Sequence, residues 1–182
     1  MEELMHADIQ EVILSEEEIQ EIVLRLGEEL NEAYRGKFPL VIGVLKGSAM
    51  FMADLIRAMN CDLEIDFIAA SSYGEGTISS GEVKILKDVD QTVKDRHVLL
   101  VEDIIDTGHT LTRIRDLMVH RHAASVKIVS FLNKQERREV ALQGDYIGLD
   151  IPDKFVVGYG MDFNERYREL PYLGVLKPEI YQ

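Results

Sequence analysis

Behind Ser15 the apolar positions Ile19, Ile22, Val23, Leu26 and Leu30 recur at helical spacing, and the stripe runs to about Tyr34. Ser15 with Glu18 three residues on has the form of a capping box, so the pattern predicts a helix that starts there. Gly36 and Pro39 interrupt it. The run PLVIGVL (39–45) is short, β-branched and apolar, as a buried strand requires. The alternation of element types continues with a helix in SAMFMADLIRAMN (48–60) and a strand in DLEIDFIAA (62–70). HVLLVEDII (97–105) gives the strongest strand, followed by a helix with Leu111, Ile114, Leu117 and Met118 on one side and a strand in SVKIVSFL (125–132). YIGLDI (146–151) and KFVVGY (154–159) read as two short strands separated by Pro152, and the tail from Met161 onward is polar with aromatic anchors. The segment 71–88 breaks the rhythm. Its glycines, hydroxyl residues and few anchors read as a long mobile loop opening a short VKIL strand, and loops of that length in compact domains are usually functional.

Strands alternating with helices predict an α/β fold with a doubly wound, mainly parallel sheet flanked by helices. Ligands of such sheets sit beyond the carboxyl ends of the strands, which directs attention to the loops at 46–48, 71–82, 102–110, 133–138 and 158–168. At 182 residues, with no repeat, low-complexity tract or Pro/Ser linker, the chain reads as a single domain. Charge then narrows the function classes. Twenty Lys and Arg against thirty-three Asp and Glu leave a net charge of −13, a field that repels nucleic acid and anionic membranes. A phosphorylated ligand would need a local cradle of N–H donors, a few placed cations and a divalent metal. Cys61 is the sole cysteine, so it forms no internal disulfide and completes no Cys-based zinc site. No apolar run approaches the roughly 18 residues of a membrane span. The N-terminal stretch has neither the basic start nor the apolar core of a signal peptide. A cytoplasmic enzyme or binding domain is the expectation.

The chemistry concentrates in VLLVEDIIDTGHTLTRI (98–114). Two adjacent carboxylates, Glu102 and Asp103, close the buried strand, Asp106 follows at the loop, and Thr107, Gly108, His109 and Thr110 lead into a helix. A glycine turn at a helix N-terminus exposes unpaired N–H groups and the positive end of the helix dipole, which suits a phosphomonoester. The threonine hydroxyls add uncharged donors. It is no Walker A loop, because the Gly-Lys-Ser/Thr ending is missing. Carboxylates beside a phosphate repel it unless they contact sugar hydroxyls or Mg²⁺, and a ribose phosphate with a bound metal satisfies both conditions. Taken singly, each of these residues reads as a strand end or a helix cap. The combination of apolar strand, acid pair, spaced Asp, Thr-Gly and helix favours the functional reading.

EDIIDTGHT resembles the phosphoribosyl diphosphate signature of the type I phosphoribosyltransferases, in particular their hypoxanthine-guanine branch. VIGVLKGS (41–48), SSYGEG (71–76), VKILKD (83–88), the Lys134 region and DKFVVGYGMDFNERYREL (153–170) resemble that branch in the same order, over nearly the whole chain beyond the first helix. The later FVVGYGMDFNERYR stretch is what narrows the match to 6-oxopurine enzymes.

The resemblance implies a purine salvage enzyme. It would carry the 5-phosphoribosyl group from phosphoribosyl diphosphate to N9 of hypoxanthine or guanine, with Mg²⁺ as cofactor, in a homodimer or homotetramer. It further implies a small hood formed by about 1–14 and 153–182. Glu102 and Asp103 would face the ribose hydroxyls and the metal; strand alternation points neighbours to opposite faces, so both reach the sugar only if the strand is already ending there. Asp106 matches the acid/base that exchanges a proton at purine N7. Thr107, Gly108, His109 and Thr110 match the 5′-phosphate loop, with His109 in its variable slot and turned outward. Lys134 matches the residue that hydrogen-bonds the 6-oxo group; an ammonium offers only donors and so accepts a keto base but rejects a 6-amino one. Phe155 matches the aromatic that stacks on the base and Val156 a backbone contact to its edge. Asp162 matches a ligand of a second metal, on the purine side, and Arg168 a pyrophosphate contact. Lys46 and Gly47 match a loop that presents amides to pyrophosphate, and the family often holds that bond cis. Ser72 and Tyr73 would open a lid that closes over the reacting centre.

Other features carry no chemistry. His120 and His122, near a helix end with Arg121 between them, suit the helix dipole rather than a metal. Met50, Met52 and Met59 read as core or oligomer contacts, and Arg137, Arg138 and Glu139 as a solvated face. Two other readings fit the sequence less well. An RNA-binding regulator on the same fold would display a basic face, which −13 with no basic stripe opposes. A signalling receiver would place its acid pair near the chain start, whereas here it arrives at 102–103.

Overall fold

The computed structural model describes residues 5–72 and 83–181. A six-stranded sheet runs in the order β4-β3-β2-β5-β6-β7, built from β2 (Leu40–Leu45), β3 (Glu64–Ser72), β4 (Val83–Lys87), β5 (His97–Ile105), β6 (Ser125–Asn133) and β7 (Tyr146–Asp150). All neighbours pair parallel except the edge strand β4, which lies antiparallel to β3. Alternation along each strand divides its residues between two cores. Val41, Leu99, Val101, Val129 and Phe131 face α1 (Glu16–Ala33) and α2 (Ala49–Ala58). Leu40, Ile42, Leu100 and Ile128 pack on the opposite face, where α3 (His109–His120) contributes Leu111, Ile114 and Met118. The helices start where their sequences say they should. Ser15 caps α1 through the reciprocal bonds of a full capping box, and the helix buries Ile19, Val23, Leu26 and Leu30.

The chain leaves β2 toward β3 on one side and returns to place β5 on the other, so the strand order reverses between β2 and β5. In open α/β sheets the crevice for a ligand opens at that reversal, beyond the carboxyl ends of the two strands. β5 pairs with β2 only as far as Val101, opposite Gly43, while its pairing with β6 continues to Ile105. Residues 102–105 therefore have one open flank at the mouth of the crevice.

A second, three-stranded sheet in the order β1-β9-β8 joins the two ends of the chain: β1 (Ile9–Leu14), β8 (Val156–Val157) and β9 (Leu173–Leu176). It closes on its own small core of Ile9, Val157, Tyr167, Tyr172 and Leu176. This departs from the polar tail read in the sequence. Leu173, Val175 and Leu176 are buried, but four residues between Pro171 and Pro178 form a strand only because β1 and β8 flank them on both sides. KFVVGY likewise shortens to two strand residues, since Gly158, Tyr159 and Gly160 take positive φ and turn the chain into an isolated bridge between Gly158 and Met161. A four-residue helical turn, α4 (Pro178–Tyr181), ends the described chain.

Candidate active site

Two adjoining cavities lie at the crevice. One, of about 310 Å³, is lined by Lys46 and Gly47 after β2, by Glu102 to Gly108 and Thr110 after β5, and by Asp162 and Arg168 from the hood. The other, of about 270 Å³, is lined by Lys134, Phe155, Val156 and Met161. They share Asp103, Ile104, Asp106 and Asp162 as a common wall.

The first cavity has the makings of an anion cradle. Gly108 stands at the N-cap of α3 with φ 89°, a left-handed conformation that a side chain would strain. The first helical hydrogen bond runs from Thr112 N to Gly108 O, which leaves the amides of His109, Thr110 and Leu111 without a helical acceptor. Thr107 and Thr110 line the cavity, whereas the His109 ring turns out to Glu139 at 2.8 Å. Across the cavity, Arg168 donates to Gly160 O (2.7 Å) and pairs with Asp162 (2.9 Å), yet its buried Nε has no partner among the described residues. Lys46 reaches Glu165 at 3.0 Å and holds that carboxyl below its usual range. A non-proline cis peptide is present in this loop, but it is Leu45–Lys46, one bond before the expected Lys46–Gly47.

Glu102 and Asp103 sit inside β5 rather than at its end, yet both line the cavity, because β2 has already left their flank. Burial, then the charge of Asp103, pushes the Glu102 carboxyl well up, and burial also raises Asp103. Asp103 accepts from Ile104 N (2.8 Å) and lies so close over Gly47 that any Cβ there would collide with its carboxylate. Such a pair needs a proton or a cation between its oxygens. Glu102 and Asp103 match one metal and Asp162 a second, and no group of three metal-binding side chains occurs among the described residues. Asp162 directs its oxygens to Arg168 and to Glu165 N.

In the second cavity Lys134 is buried and its ammonium stands 3.4 Å from Asp153, which also meets Arg137 at 3.4 Å. Slight burial opposes ionisation of Asp153, but Lys134 and Arg137 outweigh it and hold its carboxyl below the usual range. Val156 is buried, and Phe155 remains 38% exposed with its ring on the cavity wall. Asp106 stands where the cavities meet. Its Oδ1 is 2.8 Å from Arg137 Nε, but without an aligned hydrogen bond.

Arg137 and Glu139 lie on the solvated face their sequence suggests, Arg137 with ion pairs to Asp106 and Asp153, but Arg138 does not. Arg138 sends its guanidinium under the loop that leads into α3, donating to Asp106 O (3.0 Å), Ile105 O (3.2 Å), Asn133 Oδ1 (2.6 Å) and Leu142 O. Its stem packs beneath Gly108, where a Cβ would press on Arg138 Cδ. A planar fork can bind several fixed carbonyls at once, as a point charge cannot. A pair of arginines in a charged turn gave no sign of this, because its acceptors come from β5, β6 and residue 142. Asp153 was missed for the same reason. Of the expected lid, Tyr73 lies outside the described residues, as does the segment through residue 82, and Ser72 is described as backbone paired with Val83.

The phosphoribosyl transferase domain model matches residues 10–164. The chain is 53% identical to a hypoxanthine-guanine phosphoribosyltransferase of Bacillus subtilis, covering 98% of this chain and 99% of that one. It is 55% identical to the bifunctional protein TilS/HprT of Listeria innocua over 98% of this chain, but spans only 28% of that longer protein. The crystal structure of a hypoxanthine phosphoribosyltransferase from Staphylococcus aureus superposes with a TM-score of 0.94 at 49% identity, covering 97% of this chain and 96% of that one. A matched domain spanning most of the sequence, relatives of about half-identical sequence, and a crevice whose loops follow β2 and β5 lead to one conclusion: this chain belongs to the phosphoribosyltransferase family.

Proposed function

We propose that this chain is a purine salvage enzyme. It transfers the 5-phosphoribosyl group of phosphoribosyl diphosphate to N9 of hypoxanthine or guanine and releases pyrophosphate. The observation that carries the proposal is the shared wall: a cavity with free helix-terminal amides and a cavity with a buried ammonium and an aromatic ring meet at Asp106. A sugar phosphate in the first and a keto base in the second would bring N9 and the anomeric carbon together there.

The 5′-phosphate fits against Thr107, Gly108 and Thr110. The ribose hydroxyls lie toward Glu102 and Asp103, and the diphosphate toward Lys46, Gly47 and Arg168, whose unpartnered Nε supplies a donor. Lys134 offers the base 6-oxygen a donor, and a 6-amino group would leave that buried charge unmatched. As N9 forms its bond to C1′, the C1′–oxygen bond breaks and the electron pair leaves with pyrophosphate; Asp106 takes the proton from N7. Asp106 must shed Arg137 to do so. The half-buried acid pair suits Mg²⁺, which binds through one or two carboxylates and fills its shell with water and ligand oxygens. When bound, that ion would neutralise the diphosphate charge facing Glu102 and Asp103.

Nucleotide formation from hypoxanthine, guanine, xanthine and adenine, with and without phosphoribosyl diphosphate and Mg²⁺, tests the proposal. Turnover of the first two that requires both additions is expected. Turnover of adenine in preference to hypoxanthine would overturn it.

A further inference from the structure

The last turn of the chain is fixed against the base side of the site. Lys177 donates its backbone N–H to Asp8 O at 3.0 Å and its ammonium to Ala7 O at 2.7 Å, and Ile180 packs on the hood core. Leu176 N donates to Phe155 O at 2.9 Å, so the strand that leads into α4 also holds the backbone of Phe155. On this anchored turn Tyr181 stacks on the Phe155 ring, with centroids 4.7 Å apart and planes inclined by 18°. Phe163 meets the same ring edge-on at 5.6 Å. Phe155 lines the base cavity but Tyr181 and Phe163 do not, and the residue stays 38% exposed despite both neighbours. The tyrosine therefore stacks on the ring without occupying the cavity wall.

We propose that Tyr181 is a positioning residue for the purine: it backs the Phe155 ring so that a base entering the cavity becomes the third layer of an aromatic stack. Offset stacking fixes ring orientation as well as adding attraction. A half-exposed phenylalanine without such backing would have to be ordered by the base itself, at a cost in affinity. The C-terminal turn thus belongs to the base site although it lines no cavity. This rests on reading Phe155 as the base-stacking residue.

The test uses the full chain and steady-state kinetics with hypoxanthine and phosphoribosyl diphosphate varied in turn. Tyr181→Ala should raise the KM for hypoxanthine about three- to tenfold, the range of one aromatic pair. The KM for phosphoribosyl diphosphate should stay within about twofold, since uniform binding of the other ligand is untouched. Tyr181→Phe, which keeps the ring, should restore wild-type values. Tyr181→Leu, which keeps bulk without a flat ring, should behave like the alanine variant at unchanged melting temperature. If Phe155→Ala leaves the hypoxanthine KM unchanged, the base-stacking reading itself fails. If Phe155→Ala raises it and Tyr181→Ala does not, the role of Tyr181 alone falls. Parallel rises in both KM values, or a phenylalanine variant as impaired as alanine, would likewise overturn it.

Discussion

Replacing Arg138 by Met removes the fork beneath the loop at Gly108 while keeping a stem of similar reach under that glycine. Four oxygens lose a donor, those of Ile105, Asp106, Leu142 and the Asn133 amide. Ile105, Leu142 and Asn133 are buried, so water does not readily replace the guanidinium there. A hydrogen bond to a charged group contributes about 1.5–3 kcal/mol, but the four are not additive. Arg138 is itself only half-buried, which lets some water in. A loss of about 3–4 kcal/mol in unfolding free energy is the expected magnitude, out of roughly 5–15 kcal/mol for a typical domain. For a chain of this size that lowers Tm by roughly 6–15 °C. The carbonyls of 105 and 106 fix the direction of the amides that follow, so the KM for phosphoribosyl diphosphate should rise about tenfold or more, equivalent to about 1.4 kcal/mol. Arg138→Lys should fall between, because an ammonium cannot reach three separate elements. Urea or thermal unfolding and initial-rate kinetics are the assays. A Tm within about 1 °C of wild type together with an unchanged KM would show that Arg138 is a solvated cation after all.

Three further outcomes are expected. Asp106→Asn should reduce kcat far more than affinity for phosphoribosyl diphosphate, as loss of a transition-state proton acceptor does; equal kcat would remove Asp106 from that role. Gly47→Ala should cost about tenfold or more in turnover, because the new Cβ displaces the Asp103 carboxylate; wild-type kinetics would refute the close approach. Burial works against the Asp66 charge, but amides of Gln91, Phe67 and Asp90 and the Lys87 ammonium outweigh it and depress its pKa. Its contribution is therefore complete above the unfolded value of about 3.9 and disappears as pH falls through the folded value. Asp66→Asn should cost on the order of 3 kcal/mol at pH 7 and less near pH 3, below the unfolded value. An equal deficit at both pH values would contradict the assignment.

Much of the main sheet was legible because its signals are local. VIGVL and HVLLV are runs that only strands buried on both faces require, and Ser15 with Glu18 marks a helix start without any distant partner. The turn at Gly108 was legible for a similar reason: strand, turn glycine and helix cap occupy consecutive residues. The hood was implied by resemblance, but its strand Leu173–Leu176 was not seen in the residues, since four residues acquire strand character from neighbours about 160 and 20 positions away. Arg138 and Asp153 escaped because side chains of their type in a charged turn are solvated by default, and only the folded positions of their partners say otherwise.

The sequence by itself therefore determined the alternation of strands and helices, the amide-rich turn at Gly108 and the acids that precede it. Tertiary structure decided how they act together. It ended the pairing of β2 with β5 at Val101, two residues short of Asp103, which lets two neighbouring carboxylates share one cavity despite strand alternation. It also ran Arg138 under the loop and folded the last turn onto Phe155. The physical reason is range: hydrophobic period and capping act within a few residues, whereas ion pairs, shared cavity walls and ring stacks depend on distances that exist only once the chain has closed on itself.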